Sequence, residues 1–253
     1  MKVIETIRRW PDQETAMAHL ERVRWGGRPI CPYCGSDKVR VHASKDKKLP
    51  RWQCQDCHSA FSATVGTIFH HTHLPLQTWF LALAIMLDAK KSVSNAQLAR
   101  DLGLPYKTAW SLALRIRQAM LTDPAQAKLF IGIVEMDECY VGEKPRKGNG
   151  PDGERRKSKR GRDTSKMAVV GIVERNGRAV AKVVEVAYVS GDTHTNTVED
   201  FWALVKRSWF GQRHWYSREW ADHYIGETAY KYNNRKDPAA FSNFLRHMVG
   251  IAA

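Results

Sequence analysis

The chain contains 253 residues, of which 43% are hydrophobic and 10% aromatic, and its 40 Lys and Arg residues outnumber its 26 Asp and Glu residues, giving a net charge of +14. The apolar content excludes a disordered chain, while the positive charge favours a nucleic acid as partner, with general solubility as the alternative explanation. The longest apolar run, residues 79–87, is about half of the ~20 residues that a membrane-spanning helix needs. No apolar signal segment opens the sequence. We therefore expect a cytoplasmic protein without a membrane partner.

The first predicted element is a short amphipathic helix over residues 12–24, in which Ala16, Leu20 and Val23 recur at helical spacing. We expect it to pack against the rest of the chain and assign it no chemistry.

Residues 26–64 are rich in Gly, Pro and Cys and contain short β-forming runs, which predicts a small strand-rich module. Two C-x-x-C pairs lie in it, Cys31 with Cys34 and Cys54 with Cys57, and nineteen residues separate the pairs. This spacing is typical of a closed zinc site made by four thiolates, with redox cysteines as the alternative. Because the module has too little core to fold alone, we expect the metal to supply its folding energy.

The module also carries a cluster of basic residues that suits a DNA-contacting zinc ribbon, although a solvated charged surface would look the same in sequence. The cluster consists of Lys38, Arg40, Lys45, Lys47, Lys48 and Arg51.

An apolar helix is predicted over residues 76–89, followed by two shorter helices separated by Gly103. Two helices joined by a glycine turn predict a helix-turn-helix, and a plain helical hairpin is the alternative. The second helix would enter the major groove, and its candidate DNA-binding residues are Lys107, Arg115 and Arg117.

Three β-branched runs, residues 131–137, 166–174 and 178–186, predict strands, with Asn176-Gly177 as a hairpin turn between the last two. Strands followed by helical segments indicate an α/β domain. Residues 143–166 carry ten basic and four acidic residues, so we interpret them as a basic loop that either contacts phosphates or is a solvated insertion.

Asp137 ends the first of these strands, and a helix with a buried stripe of Val198, Phe201, Trp202 and Val205 follows later in the chain. Glu199 and Lys206 project from nearly one side of that helix. Acids from separate elements that meet at one point could hold Mg²⁺ or Mn²⁺ for a displacement reaction at a DNA phosphorus. A nearby Lys would position the DNA. The alternative is that these acids are ordinary surface carboxylates.

Six segments are informative when taken in chain order: CPYCGS, RWQCQDC, FSATVGTIF, MDECYVGEK, HTNTVEDFWALVKRSWFGQRHWYS and YKYNNR. In this order they resemble insertion-sequence transposases of the IS1595 (ISXO-like) family, over nearly the whole chain. The resemblance implies a zinc-ribbon and helix-turn-helix front, a ribonuclease-H-like catalytic domain, and metal-dependent cleavage and joining of transposon ends. It implies that Asp137 is the first catalytic Asp, that Asn196 or Glu199 occupies the third catalytic position, and that Lys206 is the trailing Lys.

The sequence departs from the family pattern after the third predicted strand. Relatives place a helix, a fourth strand and the second catalytic Asp there, whereas only the seven residues AYVSGDT join Val186 to His194. Even fully extended at about 3.5 Å per residue, seven residues cannot supply a helix and a strand. We therefore predict an internal deletion near residues 186–193 and a loss of most catalytic activity in this copy.

The predicted fold is multi-domain α+β, with double-stranded transposon-end DNA as partner and homo-oligomerisation on DNA left open. The expected parts are an N-terminal helix (1–27), a zinc ribbon (28–64), a helix-turn-helix region (65–125) and a truncated ribonuclease-H-like α/β domain (126–253). The main alternative is a non-catalytic zinc-ribbon and helix-turn-helix DNA-binding protein. An unrelated zinc-ribbon transcription regulator would leave the MDECYVG and HTN segments unexplained.

Overall fold

The structure is a computed structural model that describes residues 2–42, 51–124, 130–142, 166–185, 196–213 and 216–250. The chain divides into two compact units. The first consists of Met1–Ala89, Asn95–Ala119 and Asp237–Ala253, and the second of Lys90–Ser94 and Met120–Lys236.

Helices dominate the first unit. They are α1 (Val3–Arg9), α2 (Gln13–Trp25), α3 (Leu76–Asp88), α4 (Asn95–Leu102), α5 (Tyr106–Leu121) and α8 (Ala240–Gly250). The predicted N-terminal helix is confirmed as α2, which begins where the Asp12 carboxylate accepts a hydrogen bond of 2.7 Å from the Thr15 amide. It ends at Gly26, whose φ of +60° is the left-handed cap that glycine favours.

An aromatic cluster around Trp10 draws the last helix of the chain into the first unit. The Trp10 ring lies 4.9 Å from that of Phe80 on α3 and stacks 5.6 Å from that of Phe241 on α8. The packing therefore differs from the predicted division at residue 126, because the segment from Asp237 onward belongs with the N-terminal helices. Contacts between residues so far apart in sequence leave no local pattern from which they could be predicted.

The small strand-rich module is also part of the first unit. Its antiparallel strands β1 (Val39–His42), β2 (Arg51–Cys54) and β3 (Ala60–Phe61) are ordered β1-β2-β3. Phe61 meets Trp25 of α2 edge-on at 5.9 Å, and the Trp52 indole donates a hydrogen bond of 2.9 Å to Glu21. The module thus completes its small core with residues of α2.

The second unit contains an antiparallel sheet of β4 (Val134–Val141), β5 (Met167–Glu174) and β6 (Ala179–Val184), ordered β4-β5-β6. The predicted hairpin between β5 and β6 is confirmed, and Asn176 turns the chain with a φ of +58°. Within the described residues, β4 and β6 are each paired on one side only. Residues 186–193, where we predict a deletion, and the basic loop of residues 143–166 up to Ser165 lie outside the described residues.

Helix α6 (Asn196–Ser208), a π-helical segment (Trp209–Arg213) and α7 (Arg218–Asn233) complete the second unit. The predicted apolar stripe of α6 is confirmed, since its four members are at most 3% exposed and pack in one cluster with the sheet. This packing places α6 against β4 and β5, which is where the predicted catalytic residues lie.

Candidate zinc centre and carboxylate site

The four cysteines of the strand-rich module converge on one point. Sγ of Cys31 lies 3.6 Å from that of Cys57, Sγ of Cys34 lies 3.6 Å from that of Cys54, and all four sulfurs lie within 4.8 Å of one another. A tetrahedral zinc with Zn–S bonds of about 2.3 Å needs sulfurs about 3.8 Å apart. The donor set and its spacing therefore fit a structural zinc with no open position for substrate.

Two similar turns aim the sulfurs. In the first, the Cys31 amide donates to the carbonyl of Ser36 at 2.8 Å, and in the second the Cys54 amide donates to the carbonyl of Ser59 at 3.0 Å. The residue after the second cysteine of each pair has a positive φ, +74° at Gly35 and +57° at His58. The left-handed residue lets the chain reverse tightly, so both sulfurs of a pair face the same point.

The thiols of these turns do not titrate alike. Hydrogen bonds from the Ser59 side chain and amide lower the pKa of Cys57 to about 6, which favours the thiolate form that metals bind. The Ser36 amide also lowers the pKa of Cys34, but desolvation and the hydrogen bonds shared with the other three thiols raise it to about 12. Four thiols this close share their protons, and a bound Zn²⁺ would replace them.

Asp137 lies near the middle of β4, opposite Gly171 of β5, and is half-buried. Its Oδ2 accepts a hydrogen bond of 3.0 Å from the indole nitrogen of Trp202 on α6. A Cβ at Gly171 would lie 2.5 Å from the Trp202 ring, so only glycine lets the indole reach Asp137 across the sheet. The first predicted catalytic acid thus contacts the helix that carries the other candidates.

On α6, Glu199 and Lys206 share an arc with Trp202. At about 100° per residue the three lie within about 60° of one another, and Glu199 and Lys206 are both exposed. Burial raises the pKa of the Cys139 thiol on β4, the charge of Lys206 lowers it, and that of Asp137 raises it, so both charges are within electrostatic range of this thiol. Asn196 begins α6, and its side chain lies outside the described part.

Glu135 is a structural residue of this site that the sequence analysis missed. Its carboxylate accepts hydrogen bonds from the α6 amides of Thr197 at 2.8 Å and Val198 at 3.0 Å, and from Nε of Arg175 at 2.8 Å. It therefore caps the N-terminus of α6 and fixes the helix to β4. A sequence signal for it was available: Glu135 lies two residues before Asp137, and residues two apart on a strand share a face.

Within the described ranges, the four cysteines are the one group of three or more side chains whose ligand atoms could hold a metal. Asp137 and Glu199 do not belong to such a group there. Asp163 and Asp192, two further acids of this domain that could act as substitute ligands, lie outside the described residues.

The three predicted DNA-binding residues of α5 do not share one face, because Arg117 lies apart from the other two. Lys107 and Arg115 are exposed, whereas Arg117 has no exposed surface and donates a hydrogen bond of 2.9 Å to Oδ1 of Asn95. The prediction of Arg117 as a DNA contact is wrong in this fold, because residues two apart on a helix point about 200° apart. Arg117 falls on the buried side with Ala113, Ile116 and Met120.

In the strand-rich module, Lys38 lies 3.8 Å from Asp56 and Arg40 binds Gln53, both at the surface. Lys45, Lys47 and Lys48 lie outside the described residues, as does the side chain of Arg51.

Two family models match the chain. One, described as a transposase zinc-ribbon domain of the IS1595 type, matches residues 11–60. The other, described as an ISXO2-like transposase domain, matches residues 130–187 and 185–233. Together they cover more than half of the chain, and the second match is in two segments that meet at residues 185–187.

Among curated proteins, the chain is similar to an uncharacterized protein in transposable element ISH50 of Halobacterium salinarum, with 31% identity over 160 residues. The alignment covers 62% of this chain and 52% of that protein, so the chain spans about half the length of this relative. No solved structure matches significantly. In the described part of the chain, no helix has the length and apolar character needed to cross a membrane.

Proposed function

Because the chain belongs to the IS1595 family of insertion-sequence transposases, we propose that it binds the DNA ends of its element but does not cleave or join them. In this proposal, the zinc ribbon and a helix-turn-helix formed by α4 and α5 bind duplex DNA. Strands β4–β6 and α6 are the remaining part of a ribonuclease-H-like domain.

DNA binding is supported by charge and by the exposed groups of α5. The net charge of +14 favours association with a polyanion, and Lys107 and Arg115 project from the surface of the second helix of the pair. Phosphate contacts by such side chains would position the protein on the duplex whatever its sequence. We leave Arg117 out of this surface because it is buried.

One observation supports the proposal that the chain does not cleave DNA: the match to the transposase-domain family model is divided into two segments. The two matched segments of the transposase domain meet at residues 185–187, beside the short connection that has no room for a helix, a strand and the second catalytic Asp. Paired-metal phosphoryl transfer needs carboxylates on both ions, which clamp the attacking and leaving oxygens. With Asp137 and either Asn196 or Glu199 alone, one ion would lack its bridging ligand, and most of the rate would be lost.

An active transposase is the second candidate function. It is favoured by the retained contact between Asp137 and α6 and by the exposed Lys206 on the same helix. It requires Asp163 or Asp192 to act as a substitute ligand for Mg²⁺ or Mn²⁺.

A strand-transfer assay with duplexes of the terminal repeats, in Mg²⁺ or Mn²⁺, distinguishes the two candidates. We expect a gel-shift complex without nicked or joined product, and an identical result for Asp137→Ala. Metal-dependent nicking by the natural chain that disappears in Asp137→Ala would instead establish the active enzyme, and Asp163→Asn and Asp192→Asn would identify its second ligand. A chain that binds no duplex DNA at low salt would contradict both candidates.

A further inference from the structure

A groove of about 590 Å³ lies in the first unit, between residues 71–74 and the N-terminal half of α5. Lys107, Ser111 and Arg115 line it from α5 at intervals of four residues, so they form one stripe along the helix. His71 and His73 line it as well. Both family models leave residues 61–129 unmatched, so neither of them assigns this groove a role.

The lining of the groove is suited to an anion. Its polar lining residues include Lys107, Arg115, His71, His73, Thr108 and Ser111, and its lining within the described residues includes no Asp or Glu. The rest of the lining is mostly apolar and includes Trp79, Leu104 and Leu112, so the polar groups are set in a largely apolar wall. Guanidinium, ammonium and protonated imidazole groups all donate hydrogen bonds to phosphate oxygens. The histidines do not form a metal site, since the cysteines are the one such group in the described part of the chain.

Arg115 connects the two sides of the groove. Its Nη1 donates hydrogen bonds to the carbonyls of Ile68 at 3.2 Å and His70 at 3.1 Å, which fixes the chain just before His71. Both bonds use the same nitrogen, so among the described residues Nη2 and Nε remain available to a ligand in the groove. The guanidinium can therefore position the histidine segment and contact an anion at once.

His71 lies at a turn with a left-handed backbone. Its φ of +53° is in the region that Asn, Asp and His adopt more often than other residues with a side chain. The side chain is exposed and its ring stacks on that of His70 at 4.0 Å, so His71 is accessible to a ligand.

We propose that this groove binds a backbone phosphate of duplex DNA between Lys107 and Arg115 of α5 and the imidazoles of His71 and His73. The inference rests on the proposed DNA-binding function and specifies the groups that carry it. It adds a pH-dependent contact to the permanent charges of the helix.

The contact strengthens as the histidines gain protons. The titratable and charged groups around His71 are His70, on whose ring it stacks, and His73, Lys107 and Arg115, which line the same groove. A phosphate in the groove pairs with the protonated form of an imidazole, so binding takes up protons, and we expect affinity to rise from pH 8 to pH 6.

The test measures binding of a fluorescent terminal-repeat duplex by anisotropy, at several salt concentrations and at pH 6 and pH 8. For the natural chain we expect a steeper decline of affinity with salt at pH 6 than at pH 8, because more cations then pair with phosphate. His71→Asn removes the titratable group and keeps a residue that tolerates the left-handed conformation. It should weaken binding at pH 6 by about threefold to tenfold and reduce the pH effect.

Lys236→Ala is the control, since Lys236 is an exposed cation of the other unit and does not line the groove. We expect it to keep the affinity and the pH effect of the natural chain, and we expect thermal unfolding of His71→Asn at or above the natural temperature. If the natural chain binds no duplex, the proposed function itself fails and this inference fails with it. If the natural chain binds and His71→Asn matches it at both pH values, or Lys236→Ala loses as much as His71→Asn, only the groove inference is overturned.

Discussion

At the scale of single residues, Glu135 shows how one carboxylate can set the position of a helix. It is 2% exposed on β4 and receives hydrogen bonds from two amides at the start of α6 and from Arg175. The helix N-terminus carries partial positive charge, so both the amides there and the guanidinium of Arg175 stabilise the ionised carboxylate of Glu135. Because Glu199 and Lys206 are on the same helix, their position relative to β4 depends on this cap.

Glu135→Gln should lower the free energy of unfolding by about 1–3 kcal/mol, since a neutral amide cannot replace the charge-assisted bonds of a buried carboxylate. Chemical denaturation followed by tryptophan fluorescence would measure the loss. Glu138→Gln, on the opposite face of the same strand, provides a control for charge removal from β4. An equal loss in both variants would show that Glu135 has no special role as a cap.

The same residue gives stability a defined pH dependence. Burial raises the pKa of Glu135, but the hydrogen bonds from Arg175, Val198 and Thr197 outweigh it, so the net pKa is lowered. Because the pKa is lower in the folded state, the carboxylate stabilises the fold fully at pH values above its pKa in the unfolded chain. This stabilisation is lost as the pH falls through its pKa in the folded protein. The stability difference between the natural chain and Glu135→Gln should therefore be constant near neutral pH and shrink on acidification, as denaturation at pH 7 and pH 3 would show.

At the scale of elements, the sequence predicted what depends on local spacing. The cysteine pairs predicted the ribbon, the glycine turn predicted α4 and α5, and the stripe of Val198 and its partners predicted the buried face of α6. Arg117 could have been placed correctly too, because it falls within the apolar stripe of α5. The Trp202–Asp137 contact could not be predicted, since it depends on Gly171 from a third element.

Gly171→Ala should therefore destabilise the second unit by about 1–3 kcal/mol, because the added methyl group forces the Trp202 ring out of its place. Near-ultraviolet circular dichroism and thermal unfolding would detect the displaced indole and the lost stability. Gly211→Ala is the matched control, since a Cβ there meets nothing within 4 Å. Unchanged stability of Gly171→Ala would contradict the close packing of Trp202 on β5.

The ribbon provides a second prediction at this scale. Cys31→Ser or Cys54→Ser should release the metal and unfold residues 28–64, because metal binding and folding of this module are one equilibrium. Metal analysis of the reduced protein should give one zinc per natural chain and clearly less in either variant. Cys139→Ser alters the buried cysteine of β4, outside the thiolate cluster, and should retain the zinc.

At the scale of the whole molecule, the net charge predicts a nucleic acid as partner but not which surface of the protein would bind it. The excess of positive charge is spread over the chain, and only the structure separates exposed Lys107 and Arg115 from buried Arg117. The division into units was also beyond the sequence, because it is set by contacts such as that of Trp10 with Phe241.

DNA affinity of the natural chain should fall steeply with salt, since each phosphate contact releases counterions. Lys107→Ala should reduce the slope of log affinity against log salt by about 1, because one contact is lost. Lys236→Ala, an exposed lysine of the other unit, is the charge-matched control and should leave the slope unchanged. Equal slopes for the natural chain and Lys107→Ala would remove Lys107 from the interface.

The position of α8 has a consequence for the order in which the protein forms. Domains generally fold as units while the ribosome is still adding residues. The second unit ends at Lys236, so all of its residues have been synthesised before α8 exists, whereas the first unit must wait for Phe241 to cover Trp10. The earliest part of the nascent chain is thus among the last to reach its final packing, and a ribosome that stalls before residue 240 leaves its aromatic surface exposed to chaperones.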